Sequence, residues 1–212
     1  MKHPEVTTSS PERTALPFET TYDQLLEKLI AGNVPLEAYG QGGAKTIHHF
    51  LSEINEGEAV VTIGKNNAVF REVSVLGVDI LCKHSNGVYI LKEDRQEFKD
   101  QDGRVDTSRP VKRRELDSSI GEKLKPNESP EDAITRALEE ELGVKELSNV
   151  YKIGYEEKTS MSETYPGIES TYKLHKFVTV ISEDEFKPEG YVEDQHDKMN
   201  YYVWEQLPVI VE

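Results

Sequence analysis

Apolar residues recur at helical spacing in two early segments. Tyr22, Leu25, Leu26, Leu29 and Ile30 fall on one face and are followed by Gly32, which predicts an amphipathic helix ending there. Ile47, Phe50, Leu51 and Ile54 repeat the spacing, so a second helix is expected over 44–54, before the Glu56-Gly57 turn. The pattern then changes to runs rich in β-branched residues. Residues 73–82 and 88–91 read as strands joined through His84-Ser85-Asn86-Gly87, and 150–155, 172–181 and 201–204 read as further strands. Between them lies a helix with complete end signals. Ser129 suits the N-cap, Pro130 the first helical position, Asp132 the capping partner and Gly143 the far end. Ile134, Leu138 and Leu142 form its apolar stripe, and Glu140 and Glu141 are expected to project together from its last turn.

Strands and helices mix without a regular βαβ alternation, which favours an α/β (α+β) architecture with a mixed sheet over a doubly wound parallel fold. Residues 1–18, with Pro4, Pro11 and Pro17 among Thr, Ser and charge, read as a flexible tail. Residues 19–69 read as a helical N-terminal extension and 70–212 as the main domain. Residues 93–113 are mostly charged and read as a long excursion.

Forty acidic against twenty-five basic residues give a net charge of -15, which disfavours long nucleic acids and anionic membranes and suits a protein that holds divalent cations. No apolar run approaches the roughly 20 residues of a spanning helix, and the first residues lack the apolar core of a secretory signal. One cysteine, Cys82, in an apolar run is expected to be a buried thiol in a reducing compartment, so a cytoplasmic or organelle-stromal location is expected. The two-helix prelude could pack on a second copy, so a homodimer is one expectation.

Gly40 to Thr46 (GQGGAKT) invites comparison with a phosphate-cradling loop. It lacks the glycine directly before the lysine, where Ala44 stands, and the glycine five residues earlier, where Tyr39 stands, so a plain interhelical turn is expected. His48 and His49 have no partnering metal spacing and read as surface or packing residues. Lys112, Arg113 and Arg114 form a basic cluster that is either a solvated edge or, in Arg113 and Arg114, a phosphate-binding pair. Glu140 and Glu141, with Glu128 in the preceding loop, could supply hard oxygen ligands for Mg2+ or Mn2+; the alternative is a solvated acidic face with Arg136 pairing to Glu140.

The order of these residues resembles the signature of the Nudix hydrolases, G-x5-E-x7-R-E-U-x-E-E-x-G-U. Glu128, Arg136, Leu138, Glu140, Glu141, Gly143 and Val144 fall in register. The resemblance implies an α/β/α sandwich with a mixed sheet. It also implies a metal-dependent hydrolase that cleaves the pyrophosphate of a nucleoside diphosphate linked to another group. On that reading Glu141 and Glu140 bind metal, Glu128 is a supporting acid, and Arg136 holds the glutamates by ion pairing. Two positions depart. Glu122 stands at the motif's first glycine, with Gly121 beside it to supply a turn, and Ala137 replaces the glutamate after the arginine. A late acid could replace the missing ligand, with Glu193 chosen over Glu189 and Asp194. Ala137 also favours an alternative: a weakly active or inactive Nudix-fold nucleotide-binding or regulatory protein.

Overall fold

The computed structural model describes residues 13–85, 87–114, 116–145 and 149–208. Most of the expected tail therefore lies outside the described residues. The chain forms two units, one comprising residues up to Val73 together with Glu157–Tyr172, the other Ser74–Glu156 and Lys173 onward.

The first unit contains β1 (Thr14–Ala15), α1 (Tyr22–Ala31), α2 (Ile47–Asn55) and β2 (Val60–Ile63). It also takes in the first residues of β3 (Val69–His84), the last of β6 (Asn149–Met161) and the first of β7 (Glu169–Ile181). The segment expected to be helical thus also carries a strand, β2, which pairs antiparallel with β1 and with β3. Both helices start at threonine caps, Thr21 and Thr46, each in a reciprocal capping box that satisfies two helix-end donors. Their apolar stripes, Leu25 and Leu29 on α1, Phe50 and Ile54 on α2, close on Val61, Tyr165 and Ile168. The Gly40 to Thr46 segment is the turn expected: Lys45 Nζ bonds Glu53 Oε1 at 2.7 Å and Thr46 caps α2. His48 stacks on Tyr22 at 4.8 Å and His49 belongs to the cap.

Glu53 and Arg71 form a buried ion pair in this unit, each about 4% exposed, with Arg71 Nη2 2.6 Å and Nε 3.2 Å from Glu53 Oε2. Their attraction offsets desolvation only while both are present.

The second unit carries the rest of β3, β4 (Gly87–Phe98), β5 (Ile120–Lys123), α3 (Pro130–Leu142), most of β6 and β7, β8 (Tyr191–Asp194) and β9 (Lys198–Gln206). The class is α+β, as expected; α3 is the unit's α-helix among the described residues. β3 pairs antiparallel with β4 and β5, β4 with β9, and β8 with β9. β7 lies beside both β3 and β6. The expected 93–113 excursion is shorter than its charge suggested, because β4 continues to Phe98: cross-strand pairing with β9 overrides the polar composition.

Helix α3 lays Ala133, Ile134, Ala137, Leu138 and Leu142 on Leu76, Val78, Ile80, Ile120 and Phe177. Ser129 Oγ accepts from Asp132 N at 3.1 Å and Gly143 ends the helix at φ 71°, a left-handed conformation that glycine adopts without a Cβ penalty. Cys82 is buried, as expected. No helix among the described residues is long and apolar enough to cross a membrane.

Replacing Arg71 by methionine is expected to cost about 3 kcal/mol by urea unfolding, because the buried Glu53 carboxylate loses its two-pronged guanidinium contact and keeps the half-exposed Lys45 in its place, whereas Arg71→Met with Glu53→Leu should recover most of that loss. Equal losses in the single and double variants would contradict it.

Candidate active site

Four elements bring acids to one cleft of about 210 Å3 in the second unit: β4 supplies Glu93, β5 Glu122, α3 Glu141 and β8 Glu193. Arg114, Gln195, Lys198, Asn200 and Tyr202 complete most of its polar wall. Each acid arrives by a different local device. Pairing with β3, Gly77 opposite Gly121, fixes β5 so that Glu122 follows in strand register. Gly121 is therefore a strand residue and not the turn expected of it. A register shift between Glu93 and Arg95 keeps Glu93 and Gln96 both buried, although three residues apart they would face opposite sides of a regular strand.

Glu140 and Glu141 do not project together. One residue along a helix is a rotation of about 100°, and here that step separates solvent from interior. Glu140 has a side chain 56% exposed and accepts from Arg136 Nη1 at 3.1 Å. Glu141, 8% exposed, stands one turn beyond buried Ala137 and accepts from Tyr202 Oη at 2.7 Å.

Arg136 ties the loop before α3 to the helix. Its Nε and Nη2 donate to Glu128 Oε1 and Oε2 at 2.8 and 3.0 Å, and Nη2 also reaches the Lys123 carbonyl at 3.0 Å. This guanidinium, together with the Lys125 N–H, holds the Glu128 carboxyl below the usual carboxylate range. Glu128 is outside the cleft lining and serves the loop. Of the four acids read as metal ligands, the structure brings Glu141 and Glu193 into the cleft, and turns Glu140 and Glu128 toward Arg136.

The basic pair also divides. Arg114 reaches the cleft and makes a two-pronged contact with Glu93, Nε to Oε1 at 2.8 Å and Nη2 to Oε2. Arg113, 67% exposed, pairs with Asp94. Glu193 accepts from Gln195 and Asn200, and Asn200 Oδ1 in turn accepts from Gln96 Nε2 at 2.8 Å, so a chain of amides fixes that carboxylate.

Glu93 and Glu122 are the acids that sequence reasoning missed. Glu122 had a signal, since it is an acid standing at the signature's first position in place of the glycine; Glu93 had none, because its orientation depends on an irregularity in pairing with β9.

Burial among like charges governs the site's electrostatics. Desolvation raises the Glu141 carboxyl to about 8, with Glu193, Glu122 and Glu93 adding to the rise and the Tyr202 hydrogen bond opposing it. Burial likewise raises Glu122, against the pull of Arg136. No group of three His, Cys, Asp or Glu side chains among the described residues forms a ready-made metal cage. The donor chemistry nevertheless fits a hard cation shared with a ligand. Mg2+ is commonly held by one or two carboxylates, with water and phosphate oxygens completing the shell, and mutually repelling carboxylates favour a positive charge between them.

The folded chain keeps the Glu141 proton where the unfolded chain has lost it. That stabilisation is complete below the ordinary value of 4.5 and is lost as pH rises through about 8. Urea unfolding should therefore show the native chain losing stability relative to Glu141→Gln across that window, with a constant difference above it; parallel profiles would contradict the assignment.

Comparison with known proteins agrees with the signature. The NUDIX domain model matches residues 88–210, more than half of the chain. Among solved structures, a mutT/nudix family protein from Listeria innocua is similar, at 18% identity over 61% of this chain and 76% of that one, with a TM-score of 0.33. No curated protein matches. With the domain model spanning β4 to β9 and the acids of the cleft within or beside it, the chain belongs to the Nudix family.

Proposed function

We propose that the chain hydrolyses the pyrophosphate of a nucleoside diphosphate linked to another group, with Mg2+ or Mn2+ as cofactor. The observation that carries the reading is Glu141: an acid on the signature helix, buried in a cleft with three other carboxylates and raised to about 8. Membership of a hydrolase family supports the reaction class.

Glu141 and Glu122 would hold the cation, with Glu193 lining the same cleft. A divalent ion there supplies positive charge against the phosphate oxygens as the anhydride breaks. With the cation bound, Glu141 would be held in its charged form, because the positive charge offsets the burial and the neighbouring acids that otherwise keep its proton on. Tyr202 Oη holds its Oε2 and fixes the carboxylate plane. Arg114 and Lys198 line the same cleft and suit phosphate oxygens, Arg114 by exchanging one prong of its contact with Glu93.

A second reading is a nucleotide-binding or regulatory protein without turnover. Ala137 favours it: this position is 1% exposed within the apolar core and brings no carboxylate to the helix face that carries Glu141.

A panel of ADP-ribose, NADH, diadenosine polyphosphates, nucleoside triphosphates and capped RNA, with Mg2+ or Mn2+, separates the two. Metal-dependent release of a phosphorylated product is expected, with kcat lowered about 100-fold or more in Glu141→Gln and circular dichroism unchanged. Unaltered turnover in that variant would refute the site. Nucleotide binding without turnover, and turnover gained in Ala137→Glu, would establish the second reading.

A further inference from the structure

Acids outnumber cations in the cleft. Glu93, Glu122, Glu141 and Glu193 line it against Arg114 and Lys198, an excess of two negative charges when all six are ionised, which matches the charge of one divalent cation. The two cations stand differently. Lys198 makes no ion pair among the described residues, whereas Arg114 grips Glu93 through Nε and Nη2.

That grip joins unequal partners. The Glu93 side chain is 1% exposed and that of Arg114 36%, so the carboxylate has lost its water and depends on the guanidinium for a counter-charge. Glu93 is fixed in β4 by pairing with Tyr202 of β9, while Arg114 is carried by the connection between β4 and β5 and lies in no helix or strand. The Glu93 hydrogen bonds make Arg114 hold its proton more firmly than usual, against the effect of burial, and the charge on Glu141 adds to them. The guanidinium is therefore felt by the buried acid of α3 as well as by its partner.

We propose that Arg114 is the cleft's own counter-cation, and that a divalent cation taken up among the acids competes with it, loosening its hold on Glu93 and turning it to the phosphate of a nucleotide. This rests on the reading above that Glu141 and Glu122 hold Mg2+ or Mn2+, and adds a group of the chain in competition with that cation. Two positive charges drawn to the same acids repel, so each weakens the other's hold. Release is feasible because the cation supplies the positive charge that the buried Glu93 needs, and the freed fork of donors suits phosphate oxygens. The cation then favours the nucleotide both by its own charge and by giving up Arg114, and by linkage the nucleotide favours the cation equally. An ion pair with only a structural part would act in the opposite sense: its loss would disorder Glu93 and weaken the cation site.

Two measurements that need no turnover test the competition. In the native chain, Mg2+ should speed modification of Arg114 by phenylglyoxal severalfold, followed by mass spectrometry of the peptide that carries it. Mn2+ binding, read from the electron paramagnetic resonance signal of free Mn2+ at pH 8 with no nucleotide present, should be about tenfold tighter in Arg114→Gln than in the native chain, because the acids lose the charge that opposes the ion. Equilibrium dialysis of ADP at saturating Mn2+ should shift the other way, to about tenfold weaker binding in the same variant, with circular dichroism unchanged.

Mn2+ binding that is equal or weaker in Arg114→Gln would overturn the competition while leaving the cation site in place. So would an Arg114 whose modification Mg2+ leaves unchanged or slows, a result that needs no variant, or an ADP affinity that the substitution does not alter. Mn2+ bound by neither chain would overturn the cation site and this inference together.

Discussion

Burial of the Glu141 carboxyl is the constraint on which the second unit's site depends. A carboxylate under the sheet is costly unless it is protonated or met by positive charge, and its surroundings sharpen the conflict by adding Glu193, Glu122 and Glu93. The neighbouring contacts then divide into those that tolerate this acid and those that keep other charges away from it. Tyr202 donates to it; Arg114 occupies Glu93; the amides of Gln195 and Asn200 occupy Glu193. The cleft is a set of acids held apart by specific partners, in a fold whose helix α3 is anchored by an apolar face.

Arg136 plays a complementary part. By holding Glu128, Glu140 and the Lys123 carbonyl at once, it fixes the path from β5 through the loop into α3, and so sets where Glu141 enters the sheet. Arg136 is not part of the cleft lining, but its Nη1 stands 3.6 Å from Oε1 of the cleft acid Glu122, so its part is to position the acids around the cleft.

Much of this was legible in the sequence because it is local. The cap at Ser129, the glycine at 143 and the spacing of Glu128, Arg136 and Glu140 all act within a turn or a short loop, where periodicity and residue type decide geometry. The division between Glu140 and Glu141 is also a matter of helical rotation, but which one faces inward follows from the stripe that binds the sheet, and that stripe includes Ala133 and Ala137 beside the larger residues. Nonlocal geometry was not legible. Glu93 depends on a register shift against β9 and the extent of β4 on a partner about one hundred residues away, while Glu193 was named from the resemblance and not from the amides of Gln195 and Asn200 that hold it. Ala137, read as a missing ligand, is in the structure a packing residue whose small size lets α3 lie close to the sheet.

The central claim is that one buried glutamate carboxyl, surrounded by other acids, gives the cleft its chemistry. Carbon-13 NMR of side-chain-labelled glutamate, followed from pH 3 to 10 in the native chain and in Glu141→Gln, measures it directly. The account predicts one carboxyl titrating near 8 in the native chain, absent from the variant. Glutamates that all titrate near their ordinary value of 4.5 or below, with none removed from a higher range by the substitution, would contradict it.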